Sequence, residues 1–190
     1  MHTPRFDSLY PPTSRDEKAV TEIDRILDLI LSREGGWADH PQDHGGPTHM
    51  GITLPTLTTW LAPQPATVDD LRQLSRDEAR EIYADLYVAK PGYDKIDDAA
   101  LRAQVVDAGV LHGTGWATRC LQLVADVAVD GILGPISLAA VNSSEGLGEK
   151  FFSRRIRKIG RIAQADRSQL PFLVGWLDRA VTTFLAERKD

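Results

Sequence analysis

The sequence holds one cysteine, Cys120, in 190 residues. A lone thiol closes no internal bridge, which excludes the disulfide-stapled secreted class. Long apolar runs are also missing. Every hydrophobic cluster meets Asp, Glu, Lys or Arg well before the roughly 18 to 20 residues that cross a bilayer. The opening MHTPRFDSLYPPTSRDEK carries no apolar leader, so no Sec-type signal is expected and the cytosol is the expected first location. Nor is there a basic surplus: 22 Lys and Arg stand against 27 Asp and Glu, for a net charge of −5. A dedicated nucleic-acid binder needs the opposite balance for its phosphate contacts. What is present is 42% hydrophobic residues, enough at this length for a globular core without metal or disulfide support.

The charge is unevenly spread. Residues 22–110 carry eight bases and sixteen acids, whereas 111–190 carry eleven bases and eight acids. The two halves are therefore expected to do different things.

Residues 1–15 contain Pro4, Pro11 and Pro12 and no helical period, which reads as a flexible arm. Ser14 and Glu17 have capping-box spacing, and Val20, Ile23, Leu27 and Ile30 form a helical stripe, so a helix is expected over about 17–34, stopped by Gly35-Gly36. From Trp37 to Thr53 the pattern turns into Pro, Gly, His and Asp, a compact loop or short hairpin. Thr53 with Pro55, Thr67 with Asp70 and Ser75 with Glu78 each start a further helix. The one over about 76–89 should bury Ile82, Leu86 and Ala89. Asp97 or Asp98 caps the next, with the stripe Leu101, Val105, Ala108, ended by Gly113 and Gly115. A short helix follows over 116–124, then a turn at Asp130-Gly131, a small helix opened by Gly134-Pro135, and two longer helices over about 146–165 and 171–187. With no strand pair outside 37–53, the fold class is all-α, divided as arm 1–15, N-terminal part 16–100 and C-terminal helical part 101–190 packed on it.

Chemistry concentrates around Glu34. A carboxylate in the last turn of a helix opposes the negative end of the macrodipole, and that opposition, with any burial, raises its pKa toward that of a general acid at neutral pH. The two glycines after it let backbone approach closely. Asp43 and Thr48 follow in HPQDHGGPTHMGIT, a loop with no periodic reason for its composition. A protonated carboxyl facing an ionised one is the arrangement that cleaves glycosidic bonds, and a threonine hydroxyl can hold the attacking water.

The stretch REGGWADHPQDHGGPTHMGIT resembles the signature of glycoside hydrolase family 108, the bacterial and phage muramidases, and its Glu, Asp, Thr order is similar to that of phage-type lysozymes. Downstream, VVDAGVLHGTGWATRCLQ, DGILGPISLAAV and FLVGWLDRA resemble the predicted peptidoglycan domain that follows the catalytic part in that family. The resemblance spans about residues 22–186. It implies a lysozyme-like fold and an endolysin-type muramidase acting on peptidoglycan glycan strands without a cofactor. It further implies Glu34 as acid, Asp43 and Thr48 as its partners, and release to the cell wall by a separate protein. The sequence departs from the family pattern at Met50, Val88 and Leu111. A lytic transglycosylase using the same Glu and a non-catalytic wall-binding protein are the alternatives.

Gly35, Gly36 and Trp37 beside the acid, Gly46 and His49 in the loop, and Asp107 and His112 at the end of a later helix are candidates for substrate contact. His40, His44 and His49 with Asp39 and Asp43 fit no defensible zinc spacing, so no metal is expected. Trp60, Trp116 and Trp176 read mainly as core, and Cys120 as packing. Residues 150–167 carry seven bases and one acid, with Phe152, Ile156, Ile159 and Ala163 expected on the opposite face. Such a helix offers contact to anionic wall polymer or lipid. No nucleic-acid partner is expected, and the chain is expected to be a monomer.

Overall fold

The computed structural model describes residues 16–33, 35–38 and 46–186, the side chains of 16–22 and 33 excepted. Among them lie nine α-helices and one small sheet. The arm 1–15 and the Ser14–Glu17 capping pair fall outside the described residues. Helix α1 spans Asp16–Arg33 and buries Ile26, Leu27, Ile30 and Leu31, with Ile23 partly covered. Three two-residue strands follow: β1 (Trp37–Ala38), β2 (Thr48–His49) and β3 (Ile52–Thr53), antiparallel in the order β1-β2-β3. The β2–β3 turn pairs His49 with Ile52 across Met50 and Gly51, whose φ values of 49° and 74° are those of a two-residue hairpin turn with both residues left-handed.

Helix starts follow the local chemistry. Thr53 accepts from the backbone N–H of Thr56 and opens α2 (Leu54–Trp60). Thr67 with Asp70 and Ser75 with Glu78 form complete capping boxes at α3 (Val68–Arg72) and α4 (Arg76–Ala84). Beyond α4 a π-turn covers Asp85–Ala89, closed by the Lys90 N–H donating to the Asp85 carbonyl at 2.9 Å. The wider turn rotates the buried face. Tyr83 and Val88 are therefore buried while Leu86 and Ala89, expected on the core stripe, are only half-buried.

Asp98 caps α5 (Ala99–His112). An amphipathic stripe was expected there, yet every residue from Leu101 to Gly109 is buried. The reason is position: α5 packs on α1, on α6 (Thr114–Val124), and on both closing helices, α8 (Leu147–Ala165) and α9 (Leu170–Ala186). A helix surrounded on all sides has no polar face to keep. Gly113, at φ 86°, makes the sharp junction from α5 to α6, and Gly115 lies inside α6 instead of breaking it. The small helix α7 covers Pro135–Ser143. One hydrophobic cluster runs from α1 through α5 and α6 to α8. No helix among the described residues is long and apolar enough to cross a membrane.

Candidate active site

The site is framed by the end of α1 and the sheet. Arg80 of α4 reaches across to Asp24 and Asp28 of α1, and Arg76 adds a second contact to Asp28, which orients α1 as it runs toward Gly35-Gly36. Glu34 and Asp43, with Asp39, His40 and His44, fall outside the described residues. Gly35 and Gly36 are exposed, and among the described residues a Cβ on either would meet nothing within 4 Å. At Gly46, φ of +71° makes glycine the natural residue for the turn into β2.

Strand alternation divides the candidates on the sheet. Trp37 pairs with His49, and Ala38 and Thr53 pair with Thr48. Trp37 and His49 therefore share one face and Thr48 takes the other. On the first face the rings meet edge-on at 6.3 Å, Arg72 lies over the indole at 4.6 Å, and the His49 Nδ1–H donates to the Leu71 carbonyl at 2.9 Å. These contacts tie the face to α3, so the structure does not bring His49 together with Thr48, although the sequence places them side by side. Arg72, the cation on Trp37, has no periodic signal that marks it. Tyr83 donates to the Met50 carbonyl at 3.2 Å and steadies the β2–β3 turn from beneath.

Asp107 and His112 lie on the last turns of α5. Asp107 is buried, and its two carboxylate oxygens accept from Arg155 Nη2 at 2.5 Å and Arg179 Nε at 2.8 Å. It ties α5 to α8 and α9, which corrects its reading as a wall of the cleft: a carboxylate with both oxygens committed and no solvent has nothing to offer a sugar. His112 packs edge-on against Trp116 at 5.0 Å. Burial, followed by the positive charges of Arg155 and Lys158, pushes its pKa down to about 4. It is thus neutral at neutral pH and faces the C-terminal helices.

Those helices correct the reading of 150–167 as well. Arg155, counted among the surface bases, is fully buried, along with Phe151, Ile159 and Ala163. Phe152 and Ile156 are half-buried, and Phe152 stacks on Phe184 of α9 at 4.4 Å. Gln122 was missed. Its buried side chain donates to Asp130 Oδ1, the Ile132 carbonyl and Ser137 Oγ and accepts from the Gly131 N–H, which shapes the turn before α7. Tyr93, buried with its pKa raised to about 12 by desolvation, donates to the Thr114 carbonyl at 2.9 Å and lies 2.8 Å from the Thr118 hydroxyl. It pins the turn before α5 onto α6.

A mostly helical body with a small three-stranded sheet after its first helix is a lysozyme-like fold. The profile of the glycosyl hydrolase 108 family matches residues 27–113, and that of a predicted peptidoglycan domain matches residues 112–181. The chain is therefore a peptidoglycan-degrading enzyme. The two matches meet at the end of α5. Twelve chains of solved structures match it. One of them, described as the structure of Brucella abortus SagA, has a TM-score of 0.74 and 28% identity, with 90% of this chain and 98% of that one covered. No curated protein sequence matches.

Proposed function

We propose that the chain is an endolysin-type muramidase that hydrolyses the β-1,4 bond from N-acetylmuramic acid to N-acetylglucosamine. Glu34 protonates the leaving oxygen, and Asp43 and Thr48 hold the attacking water. The single observation that carries this reading is the exposed glycine pair Gly35-Gly36, where α1 hands over to a strand that pairs with the one bearing Thr48. Glu34 stands in the sequence between the last residue of α1, Arg33, and this glycine pair. No step calls for a metal or cofactor. The N-terminal part, 16–100, carries the chemistry and the C-terminal part, 101–190, holds the wall. The protein waits in the cytosol and acts once another protein opens the membrane.

The test is release of muropeptides from purified peptidoglycan by the wild type and by Glu34→Gln, with mass spectrometry of the products and an EDTA control. Reducing-end N-acetylmuramic acid, released by the wild type alone and indifferent to EDTA, is expected. Anhydro ends, lighter by one water, assign a lytic transglycosylase instead. Equal release by both proteins removes Glu34 from the mechanism.

A further inference from the structure

Helices α6 and α8 flank an open groove of about 250 Å³. One wall is the α6 stripe Trp116, Arg119, Cys120 and Leu123, closed at its end by Val129. The other is the α8 stripe Arg154, Arg157, Lys158 and Arg161. Both follow i, i+3, i+4, i+7 spacing, so each is one continuous helix face. Five of the nine lining residues are cations and none is an acid. Among the described residues, the four from α8 have no ion-pair partner, whereas the neighbouring Arg155 is buried against Asp107. Arg119 is positioned in advance: it donates to the Gly115 carbonyl at 3.3 Å and the Asp130 carbonyl at 3.5 Å. It also lies so close to Gly131 that a Cβ there would come within 2.9 Å of its guanidinium carbon.

Four like charges on one helix face repel one another, and in a chain with net charge −5 no general need for basicity explains them. A bound anion would relieve that repulsion. Its class follows from the two walls. The cationic wall fits carboxylates, and the wall of Trp116, Leu123 and Val129 fits short aliphatic groups. A membrane surface calls for a convex basic face with apolar side chains ready to insert; here the basic stripe of α8 stands across a groove from Trp116, Leu123 and Val129. We propose that this groove binds the carboxylate-rich stem peptide of peptidoglycan and so anchors the enzyme through the peptide while the sheet end of the molecule meets the glycan. This rests on peptidoglycan being the substrate. All nine lining residues fall inside the segment matched to the predicted peptidoglycan domain.

The test is co-sedimentation of the full chain with purified sacculi, with the soluble stem tripeptide alanyl-γ-glutamyl-diaminopimelate as competitor. The variants are the triple Arg154→Gln, Arg157→Gln, Arg161→Gln and the matching triple Arg→Lys. All three side chains are exposed, so the fold should hold, and an unchanged melting temperature verifies it. The tripeptide is expected to displace the wild type, the Gln triple to bind sacculi about tenfold more weakly and to ignore the tripeptide, and the Lys triple to recover most of the loss. Added salt should weaken the wild type more than the Gln triple. Equal wild-type binding to sacculi stripped of stems by an amidase overturns the proposal. So does a Gln-triple defect confined to phosphatidylglycerol vesicles, which assigns the groove to lipid. Tripeptide binding by a wild type that releases no Glu34-dependent product leaves this inference standing and removes the hydrolase reading alone.

Discussion

Ion pairs hold both ends of the molecule together, but they do so in opposite settings. Between α1 and α4, Arg76 and Arg80 meet Asp24 and Asp28 at the surface, with the Asp28 side chain 45% exposed. Between α5, α8 and α9, Asp107 meets Arg155 and Arg179 at 2%, 0% and 11% exposure. Water screens the first set and pays back most of what a broken pair loses. The second set has no water to fall back on, so removal of one member strands a buried charge. The ion pairs at the sheet end are solvated, whereas those that join the C-terminal helices to the central helix are buried.

Four measurements test that contrast, from the largest expected effect to the smallest. Glu34→Gln should lower muropeptide release by about a thousandfold, as loss of a general acid does, without moving the melting temperature. A large drop in melting temperature would make Glu34 part of the scaffold. Asp107→Ala should cost about 3–5 kcal/mol and lower the melting temperature by roughly 10 °C in a calorimetric scan; a loss below about 1 kcal/mol would mean that the seam relaxes to admit water.

A pH titration of stability gives the third. His112 titrates near 4 in the folded chain against 6.5 for a free imidazole, so the unfolded chain binds the extra proton first. Stability should therefore be complete above about 6.5 and fall as pH drops toward 4, by up to roughly 2 kcal/mol after allowance for partial exposure. His112→Asn should remove that part of the slope in urea melts. The smallest effect is expected for Asp28→Asn, about 0.5 kcal/mol and vanishing at high salt, because its partners remain solvated. A cost comparable to that of Asp107→Ala would erase the distinction between the two sets.

Local chemistry made much of the fold legible. The Thr67–Asp70 and Ser75–Glu78 boxes, the Thr53 cap and the Asp130-Gly131 turn lie where their residue types require, because each is closed by groups within a few positions of one another. The family was legible for a related reason: the Glu-Gly-Gly start and the Thr48-to-Ile52 segment form one short stretch whose spacing survives without any knowledge of packing.

The misreadings share an opposite cause. On periodicity, Arg155 is one more base among seven, and only the arrival of Asp107 from α5, 48 positions away, makes it a buried residue. Asp107 read as a cleft residue because polar side chains at a helix end usually meet solvent; here α8 and α9 bring Arg155 and Arg179 onto it. Thr48 and His49 are adjacent in sequence and separated in space, since a paired strand sends neighbouring side chains to opposite faces. The π-turn at Asp85–Ala89 shifts the buried face to Val88, which no 3.6-residue count anticipates.

The sequence by itself determined the helix starts, the turns, the helical class and the match to the glycosyl hydrolase 108 profile, because caps and motifs are settled by groups a few residues apart. The tertiary structure alone decided which charges are buried, which face of the sheet each candidate takes, and that two basic and aromatic stripes 38 positions apart, at Trp116 and Arg154, line one groove. Burial and charge pairing depend on which distant helix comes to lie alongside, and only packing settles that.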